Sequence, residues 1–378
     1  MLRLAIKMLV GDRGKYALLI SGLTFSTMLM AQAMCLFCGI MSWTVSSVRN
    51  IRASVWVSDP MAEQANDNKP LRGSDLSRVR SVPGVAWAAP LYQGAQQARL
   101  GDGAIKGITL VGLDSSTLAG APARILAGRL EDLRLPNTVI IDEFAVERFS
   151  EATGLAFGIG DVFEINDREA RVVGICRAER SFTGGPYIFT QYERALDYAP
   201  SQRKMLSFIL VGPAPGHTAA GVAAAITAQT GLRGWSEDEF IWSTIGWYIA
   251  NTGIPINIGL LVVVGFVVGI VFSAQTFYAF VLDNLRNFAA LKAMGLTARF
   301  LVPMLLLQAI TVGSIGYGFG MLLTSGFGFF ALGHGRIAYL MPWQVPVIAG
   351  AAVLSICVFS ALLGISKVVR TEPAVVFR

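Results

Sequence analysis

The amino-acid sequence predicts an α-helical membrane protein: a bundle of four transmembrane helices with an α+β periplasmic domain inserted between the first and second spans. The chain of 378 residues is 53% hydrophobic and 15% charged, and its mean hydropathy of +0.55 is too high for an ordinary soluble protein. The charges also avoid four stretches, each longer than the roughly 20 apolar residues that cross a bilayer as a helix. These uncharged stretches are 16–48, 241–282, 300–335 and 337–366.

The basic residues of the short segments predict the orientation. Residues 1–15, 283–299 and 367–378 together hold ten Lys and Arg against three Asp and Glu, whereas 49–240 holds 20 against 22. Because Lys and Arg beside spans stay on the cytoplasmic side, these three segments are expected in the cytoplasm. The sequence therefore predicts a multi-pass membrane protein with both termini cytoplasmic. The positive net charge follows from this topology, so no nucleic-acid partner is expected.

The N-terminal segment 1–15 is predicted to be an amphipathic helix on the cytoplasmic surface, in contact with membrane lipid. One face of this helix carries the apolar residues Leu2, Ala5, Ile6 and Leu9. The first transmembrane helix is expected within 16–48. A cleaved signal peptide is the alternative, because AQA at 31–33 resembles a cleavage site. The apolar stretch continues past this site for longer than in a signal peptide, which favours the transmembrane helix.

Residues 49–240 carry the pattern of a folded α+β domain. Short runs that alternate apolar and polar side chains are separated by Gly, Pro, Asn and Asp, which is typical of strands and turns. Two of these runs, 161–165 and 171–175, are expected to form a hairpin around Asn166 and Asp167. The domain is predicted to divide into two parts, a base formed by 49–127 with 176–240 and an inserted subdomain at 128–175.

Beyond the domain, 241–282 is expected to hold an interfacial segment and then the second transmembrane helix, beginning near Ile254. Trp235, Trp242 and Trp247 precede this helix, and their rings fit either the outer membrane interface or a core beneath the domain. The remaining segments are predicted in order as a cytoplasmic helix at 283–299, a third transmembrane helix at 300–330, a short periplasmic loop at 331–345, a fourth transmembrane helix at 346–366 and a cytoplasmic tail at 367–378.

Two pairs of glycines with four-residue spacing lie in the second and third spans. They are Gly265 with Gly269 and Gly316 with Gly320. Since a glycine leaves room for a neighbouring backbone, these pairs predict close contacts between helices. Both a contact within one chain and a contact across a dimer are consistent with the spacing.

The charged stretch 283–296, between two uncharged spans, is expected to form a helix outside the bilayer. Leu285, Ala289 and Leu291 are good helix formers, and Gly295 lies where a helix is commonly ended by a left-handed residue. Such a segment gives a pair of membrane helices a cytoplasmic surface that a partner protein can bind. We interpret it as the place where a partner protein applies force.

The sequence shows no catalytic site. It lacks the G-x-x-x-x-G-K-[ST] phosphate loop, and its two histidines, His217 and His334, are not part of an H-E-x-x-H zinc motif. No Asp, Glu, Lys or Arg lies in the four uncharged stretches, whereas ion-driven transporters usually place such residues within their spans. Energy is therefore expected to come from a partner, and no cofactor or metal is expected on this chain.

Several short motifs occur in order along the chain. RNFAALKAMG at 286–295 is similar to R-E-F/I-x-x-L-K-A-x-G, and the last residues, 372–378, read EPAVVFR. SVPGV at 81–85, and GDV at 160–162 with RVVGI at 171–175, lie in the predicted domain. With the order of one span, a large outer domain and three spans, these motifs resemble the MacB/FtsX-type permeases of ATP-binding cassette (ABC) systems, most closely their DevC-like branch. The chain departs from the family pattern at Asn287, where the family usually has Glu.

The resemblance implies a non-catalytic permease subunit of the bacterial inner (cytoplasmic) membrane that pairs with a second copy. Two copies of a separate ATPase would bind it and would hold the ATP and Mg²⁺. The residues that the resemblance assigns to the ATPase contact are Arg286, Asn287, Phe288, Leu291, Lys292, Met294 and Gly295. Those that it assigns to a further contact by the cytoplasmic tail are Glu372, Pro373, Phe377 and Arg378.

For the function, the resemblance implies mechanotransmission: movement of the periplasmic domain would drive efflux through a periplasmic membrane-fusion adaptor and an outer-membrane channel. Two other functions share the architecture. An FtsX-like chain transmits the state of the ATPase to a periplasmic hydrolase, and a lipoprotein-releasing permease extracts lipoproteins from the inner membrane. The size of the outer domain, 49–240, favours export because it can accommodate the two-part domain of the pump branch.

Overall fold

The structure, a computed structural model, describes residues 13–182, 184–294, 297–334 and 337–370. These residues form two compact units. One is the interspan domain, Met41–Thr252, and the other is the helical unit, which comprises the described residues before Met41 and after Thr252. Most of the predicted N-terminal helix, 1–12, lies outside the described residues.

The first helix, α1 (Arg13–Thr44), contains a candidate membrane span at Tyr16–Thr44. It ends earlier than the predicted segment 16–48, and a short second helix, α2 (Ser46–Asn50), follows it. Val48 is fully buried in the core of the interspan domain. The uncharged residues after Thr44 are therefore apolar or small because they pack inside this domain, and their lack of charge does not mark a longer span.

The interspan domain is built on a ten-stranded sheet. Its strands are β1 (Val55–Ser58), β2 (Val85–Arg99), β3 (Ile105–Leu113), β4 (Arg124–Gly128), β5 (Thr138–Asp142), β6 (Val162–Ile165), β7 (Arg168–Arg177), β8 (Tyr187–Gln191), β9 (Phe208–Pro213) and β10 (Arg233–Ser236). They lie in the order β10-β1-β9-β2-β3-β8-β5-β7-β4, and β6 pairs with β2 and β7. The helices of the domain after α2 are α3 (Gly73–Arg80), α4 (Glu143–Thr153), α5 (Tyr192–Tyr198), α6 (Ala219–Thr230) and α7 (Glu237–Asn251).

The long strand β2 connects the two parts of this domain. Its first half pairs with β9, and its second half, from Tyr92, pairs with β3. The predicted inserted subdomain, 128–175, is not separate in the strand pairing. Two of its strands pair with strands of the predicted base. Strand β5 pairs with β8, and strand β6 pairs with β2. The second part of the domain therefore begins within β2 and includes β3 and β8, a long-range pairing that local sequence patterns do not reveal.

The predicted hairpin between β6 and β7 is confirmed. Ile165 pairs with Arg168, which leaves Asn166 and Asp167 as a two-residue turn. Both turn residues have positive φ, 51° and 61°. This conformation matches the right-handed twist of the flanking strands, and Asn and Asp adopt it more readily than most residues.

The three tryptophans near the end of the domain do not share one environment. Trp235 is buried and stacks on Phe240 with ring centroids 5.5 Å apart, so it belongs to the core. Trp242, on α7, is 70% exposed. Trp247 is half-buried, and its Nε1 donates a hydrogen bond to Glu63 Oε2 at 2.5 Å.

After α7, the chain continues into the helices α8 (Ile254–Asp283), α9 (Leu285–Ala293), α10 (Ala298–His334) and α11 (Gln344–Arg370). Candidate spans lie at Ile254–Asp283, Arg299–Gly333 and Gln344–Leu363. The second span begins at Ile254, as predicted, but 241–251 is part of α7 and of the interspan domain. Both α10 and α11 extend past the predicted spans 300–330 and 346–366, so the predicted loop at 331–345 is shorter than expected.

The two glycine pairs place α8 and α10 against α1 within one chain. A Cβ at Gly269 would lie 2.3 Å from Ser26 Oγ, and a Cβ at Gly320 would lie 2.5 Å from Thr27 Cβ. The nearest neighbours of Gly265 and Gly316 are also residues of α1, Met30 and Leu23. Ser26 Oγ donates a hydrogen bond to the carbonyl oxygen of Gly265 at 2.8 Å. The small residues thus allow the first helix to lie between the second and third spans.

Candidate functional site

A single residue, Asn284, joins the second span helix α8 to the charged helix α9. Its φ of −92° and ψ of 11° interrupt the helix. Hydrogen bonds of helical type nevertheless continue across the junction: Asn284 N donates to Phe280 O (3.2 Å), and Phe288 N donates to Asn284 O (3.0 Å). The Asn284 side-chain amide also donates to Phe280 O (3.0 Å). The connection between the two helices is therefore short and held by several hydrogen bonds.

One face of α9 is buried in the helical unit. Phe288 is 1% exposed and belongs to an apolar cluster that includes Phe280 of α8 and Leu305 of α10. Ala289 is buried, and Leu291 is half-buried against the same cluster. The resemblance assigns Phe288 to the contact with a partner, but its burial places it among the residues that hold α9 against the spans. An apolar ring on a short helix gains more by packing on two neighbouring helices than by facing water.

The opposite face of α9 is accessible. Arg286 and Asn287 are exposed, and Met294, the residue that follows α9, is 72% exposed. Asn287 Nδ2 donates a hydrogen bond to Asn284 Oδ1 at 3.1 Å. The carboxylate that the family usually has at this position cannot donate this bond, because an ionised carboxylate only accepts hydrogen bonds.

The other predicted contact residues lie partly outside the described region. Lys292 is half-buried on α9. Gly295 and the tail residues Glu372, Pro373, Phe377 and Arg378 lie outside the described residues. The structure therefore brings Arg286, Asn287 and Met294 together on one accessible surface, which we call the α9 surface.

At the opposite end of α8, two residues, Thr252 and Gly253, separate it from α7. The buried residues of α7 are Phe240, Thr244 and Tyr248. Thr244 is fully buried, and its Oγ1 accepts a hydrogen bond from Ala65 N at 3.0 Å. The helix that precedes the second span is thus packed into the interspan domain along one side.

The sequence does not single out Asn284 or Thr244, although both have a role in these contacts. The sequence does contain a signal for Asn284. This residue directly follows Asp283, the charge that ends the uncharged stretch 241–282, and Asn is common at helix ends. Thr244 carries no such signal, because a buried threonine in an apolar helix resembles any small packing residue.

Two buried ionisable groups of the interspan domain, Asp142 and Cys176, lie side by side on the paired strands β5 and β7. Asp142 caps α4 and accepts hydrogen bonds from Ala145 N (2.6 Å) and Tyr187 N (2.8 Å). Burial raises the pKa of Asp142 to about 7, against the lowering effect of these two bonds. Burial also raises the pKa of the neighbouring Cys176 thiol, which makes it unreactive. In the part of the chain that the structure describes, no group of three or more His, Cys, Asp and Glu side chains could hold a metal ion.

Residues 17–229 match the profile of the MacB-like periplasmic core domain, and residues 259–373 match that of the FtsX-like permease C-terminal region. The first match alone covers more than half of the chain. The chain belongs to the MacB/FtsX family of ABC transporter permeases. The interspan domain is accordingly the periplasmic α+β domain of this family, inserted between the first and second of four candidate spans.

Relatives of similar sequence carry the same description. An uncharacterized ABC transporter permease of Mycobacterium bovis is 28% identical over 315 residues, which covers 82% of this chain and 79% of the relative. Two permeases of Mycobacterium tuberculosis, also named uncharacterized, are 28% and 25% identical over the same length.

Two solved structures are similar in part. The periplasmic region of MacB from Actinobacillus actinomycetemcomitans is 16% identical with a TM-score of 0.37, and the match covers 54% of this chain and 96% of that one. The extracellular domain of the noncanonic ABC-type transporter YknZ from Gram-positive bacteria is 15% identical with a TM-score of 0.35, and the match covers 49% and 100%.

Proposed function

We propose that this chain is the permease subunit that couples ATP binding and hydrolysis by a separate ATPase to movement of its periplasmic domain. The observation that carries the proposal is the continuity of the second span. Helix α8 runs without a break for 30 residues, with the exposed α9 surface one residue beyond one end and the packed helix α7 two residues beyond the other. We expect a displacement of α9 to pass along α8 to the Thr252–Gly253 connection and from there to α7.

The composition of the spans favours a permease that transmits movement over one that carries a substrate between its spans. No Asp, Glu, Lys, Arg or His lies within 16–44, 254–282, 300–333 or 344–363. Transporters that carry ions or polar substrates through the membrane usually need such residues near the middle of their spans. A permease that moves its outer domain has no such need.

The assembly that this proposal requires has two copies of the permease in the bacterial inner membrane, with both termini in the cytoplasm. Two ATPase subunits bind the α9 surfaces and hold ATP and Mg²⁺. On the periplasmic side, an adaptor and an outer-membrane channel complete an efflux system, as in the DevC-like branch. Recovery of an adaptor when the full-length permease is purified from cross-linked cells would support export. Recovery of a periplasmic hydrolase would support FtsX-like regulation, and accumulation of lipoproteins in the inner membrane on depletion would support lipoprotein release.

A charge substitution on the α9 surface tests the proposal. Met294→Asp places a carboxylate at a position that is 72% exposed, so the permease should still fold. Co-purification with the co-expressed ATPase subunit should fall by about tenfold or more, which corresponds to about 1.4 kcal/mol of lost binding free energy.

A matched control is available in the interspan domain. Met61 is 73% exposed, so Met61→Asp makes the same chemical change at nearly the same exposure on a residue that is not part of α9. It should leave co-purification of the ATPase unchanged. Equal recovery of the ATPase by Met294→Asp and by the wild type would overturn the proposed contact.

A further inference from the structure

We propose that Asn66 is a positioning residue that holds the last turn of α1 and the helix α7 together, so that the periplasmic domain moves as one body. We call Asn66 and its partners Thr44, Ser47 and Tyr248 the Asn66 clasp. The inference rests on the proposed function, because it states how the movement enters the domain. All four residues belong to the interspan domain.

The side chain of Asn66 contacts three helices at once. Its Nδ2 donates a hydrogen bond to the carbonyl oxygen of Thr44, the last residue of α1, at 2.9 Å. The same group lies 3.5 Å from the hydroxyl of Tyr248 on α7. Its Oδ1 accepts a hydrogen bond from Ser47 Oγ of α2 at 3.3 Å. With the amide reversed, two oxygen acceptors would face each other at Thr44, so the carbonyl selects this orientation.

The carbonyl oxygen of Thr44, to which Asn66 donates, lies at a helix end and needs a hydrogen-bond donor from outside the helix. The last carbonyl groups of a helix have no intrahelical N–H to accept from. Trp43, one residue earlier, is satisfied by the domain in the same way: its carbonyl oxygen accepts from Phe182 N at 3.3 Å and from Ser46 Oγ at 2.9 Å. The end of α1 is therefore hydrogen-bonded to the domain at two consecutive residues.

An aromatic contact reinforces the link to α7. The rings of Phe182 and Tyr248 lie edge to face, with centroids 5.2 Å apart. Pairs of this geometry contribute about 0.5–1.5 kcal/mol beyond their buried area. Thus Tyr248 contacts both residues that bind the last carbonyls of α1, Asn66 through its hydroxyl and Phe182 through its ring.

The loop that carries Asn66 is itself fixed on α7. Ala65 is 1% exposed, and its N–H donates to Thr244 Oγ1 at 3.0 Å. Thr244 and Tyr248 are four residues apart and therefore lie on one face of α7. Asn66 N also donates to Gln64 Oε1 at 2.7 Å. The amide is thus held in place before it meets α1, which lowers the entropy cost of the clasp.

The clasp has a mechanical consequence. The chain enters the domain through α1 and leaves it through α7, which is followed after two residues by the second span. If only α7 followed the second span, the domain could pivot on the Thr252–Gly253 connection. We expect a domain whose entry helix and exit helix are both held by the Asn66 clasp to resist this pivot, so that a displacement of the second span moves the whole domain.

Two variants and a matched control test this role in the full-length permease with its ATPase in lipid nanodiscs. Asn66→Ala removes every contact of the side chain, and Asn66→Asp keeps its size and Oδ1 but removes the Nδ2 donor. Asn68→Ala is the control: Asn68 lies in the same loop, and its side chain donates a hydrogen bond to Gln93 O (2.9 Å) of β2. The milder variant Tyr248→Phe removes only the hydroxyl that lies 3.5 Å from Asn66 Nδ2.

The first readout is the distance distribution between spin labels at Ala228→Cys, exposed on α6, and Leu260→Cys, 61% exposed on α8. It should be narrow in the wild type and in Asn68→Ala, and broad in both Asn66 variants. The second readout is the ATP-dependent change in the distance between the Ala228 labels of the two copies. Both Asn66 variants should lose this change while ATP hydrolysis continues.

The two readouts separate the two proposals. A wild type that shows no ATP-dependent change between the copies would contradict the proposed function, and the first readout would still test the clasp. Wild-type distributions in both Asn66 variants would overturn the clasp. So would an Asn66→Asp variant that behaves as the wild type, because the role would then depend on the size of the side chain and not on its donor. A shift in thermal stability alone would also contradict the proposed role, since a purely structural residue gives that result.

Discussion

The two ends of the second span differ in how they are held. At one end, α9 is a short helix with one apolar ring buried, and its other face, with Arg286, Asn287 and Met294, is open. At the other end, α7 has three buried side chains and is hydrogen-bonded to the domain through Thr244 and Tyr248. Under the proposed function, the open surface is the end that binds the ATPase and the packed helix is the end that moves the domain.

The largest effect is expected from Phe288→Asp on the buried face of α9. The substitution removes a ring that is 1% exposed and buries an unpaired carboxylate, and the loss of the ring alone costs about 3–5 kcal/mol. Thermal unfolding in detergent should show a strongly destabilised protein. Met294→Asp, on the open face, should unfold as the wild type does. Equal stability of both variants would show that α9 has no buried face.

A glycine of the second span should be the next most sensitive position. In Gly269→Leu, the new side chain would meet Ser26 Oγ, 2.3 Å from the Cβ position, and overpacking of this kind typically costs about 1–3 kcal/mol. The contrast is Gly318→Leu, where the Cβ position has no atom within 4 Å outside its own helix. The yield of folded protein by size-exclusion chromatography should fall for Gly269→Leu only. A normal yield for both would mean that α1 and α8 are not in close contact.

Asp142 is expected to make the stability of the domain depend on pH. Burial raises its pKa from 3.8 to about 7, so the folded chain binds a proton more tightly than the unfolded chain. The stability that this proton provides is full at low pH and is lost as the pH rises through about 7. Asp142 also accepts a hydrogen bond from Tyr187 N. The hydroxyl of Tyr187 in turn lies 2.9 Å from Oγ of Ser46, a residue of the helix α2 that follows α1.

Thermal unfolding of the full chain at pH 5 and pH 8 checks this dependence. Asp142→Asn should be less stable than the wild type at pH 5, because one hydrogen bond is lost, at a cost of about 1–3 kcal/mol. It should also lose less stability between the two pH values. Asp102→Asn, in an exposed turn, should keep the wild-type dependence. The same slope in Asp142→Asn as in the wild type would exclude Asp142 as its source.

The smallest effect is expected from Asn287→Glu, which restores the residue that the family usually has. The position is exposed, so a new ion pair with the ATPase would contribute about 0.2–1 kcal/mol, or up to about fivefold in affinity. Titration of the ATPase subunit against permease in nanodiscs would measure it. An unchanged affinity and an unchanged ATPase rate would mean that the missing carboxylate has little consequence.

Much of the architecture follows from the sequence because its signals are local. The absence of charge marks the spans, and the start of α8 at Ile254 agrees with the structure. The turn at Asn166 and Asp167 depends on two adjacent residues with positive φ, and it too is predicted. In these cases the physical cause lies within a few residues of the effect.

The features that the sequence does not reveal depend on contacts between residues that are distant in the chain. The burial of Phe288 depends on α8 and α10, and no pattern within 283–299 distinguishes a ring that packs on the spans from one that a partner covers. The division of the domain depends on pairs such as β5 with β8, whose residues are about 50 positions apart. Asn66 could not be predicted either, because the residues that it connects, Thr44 and Tyr248, are distant in the sequence.

The most direct test of the coupling is hydrogen–deuterium exchange of α7 in the full-length permease–ATPase complex, measured with and without ATP. If a displacement of α9 reaches the periplasmic domain through the second span, ATP should change the exchange of residues 237–251 in the wild type and not in Met294→Asp. Unchanged exchange in α7 of the wild-type complex, while ATP is being hydrolysed, would contradict this mechanism.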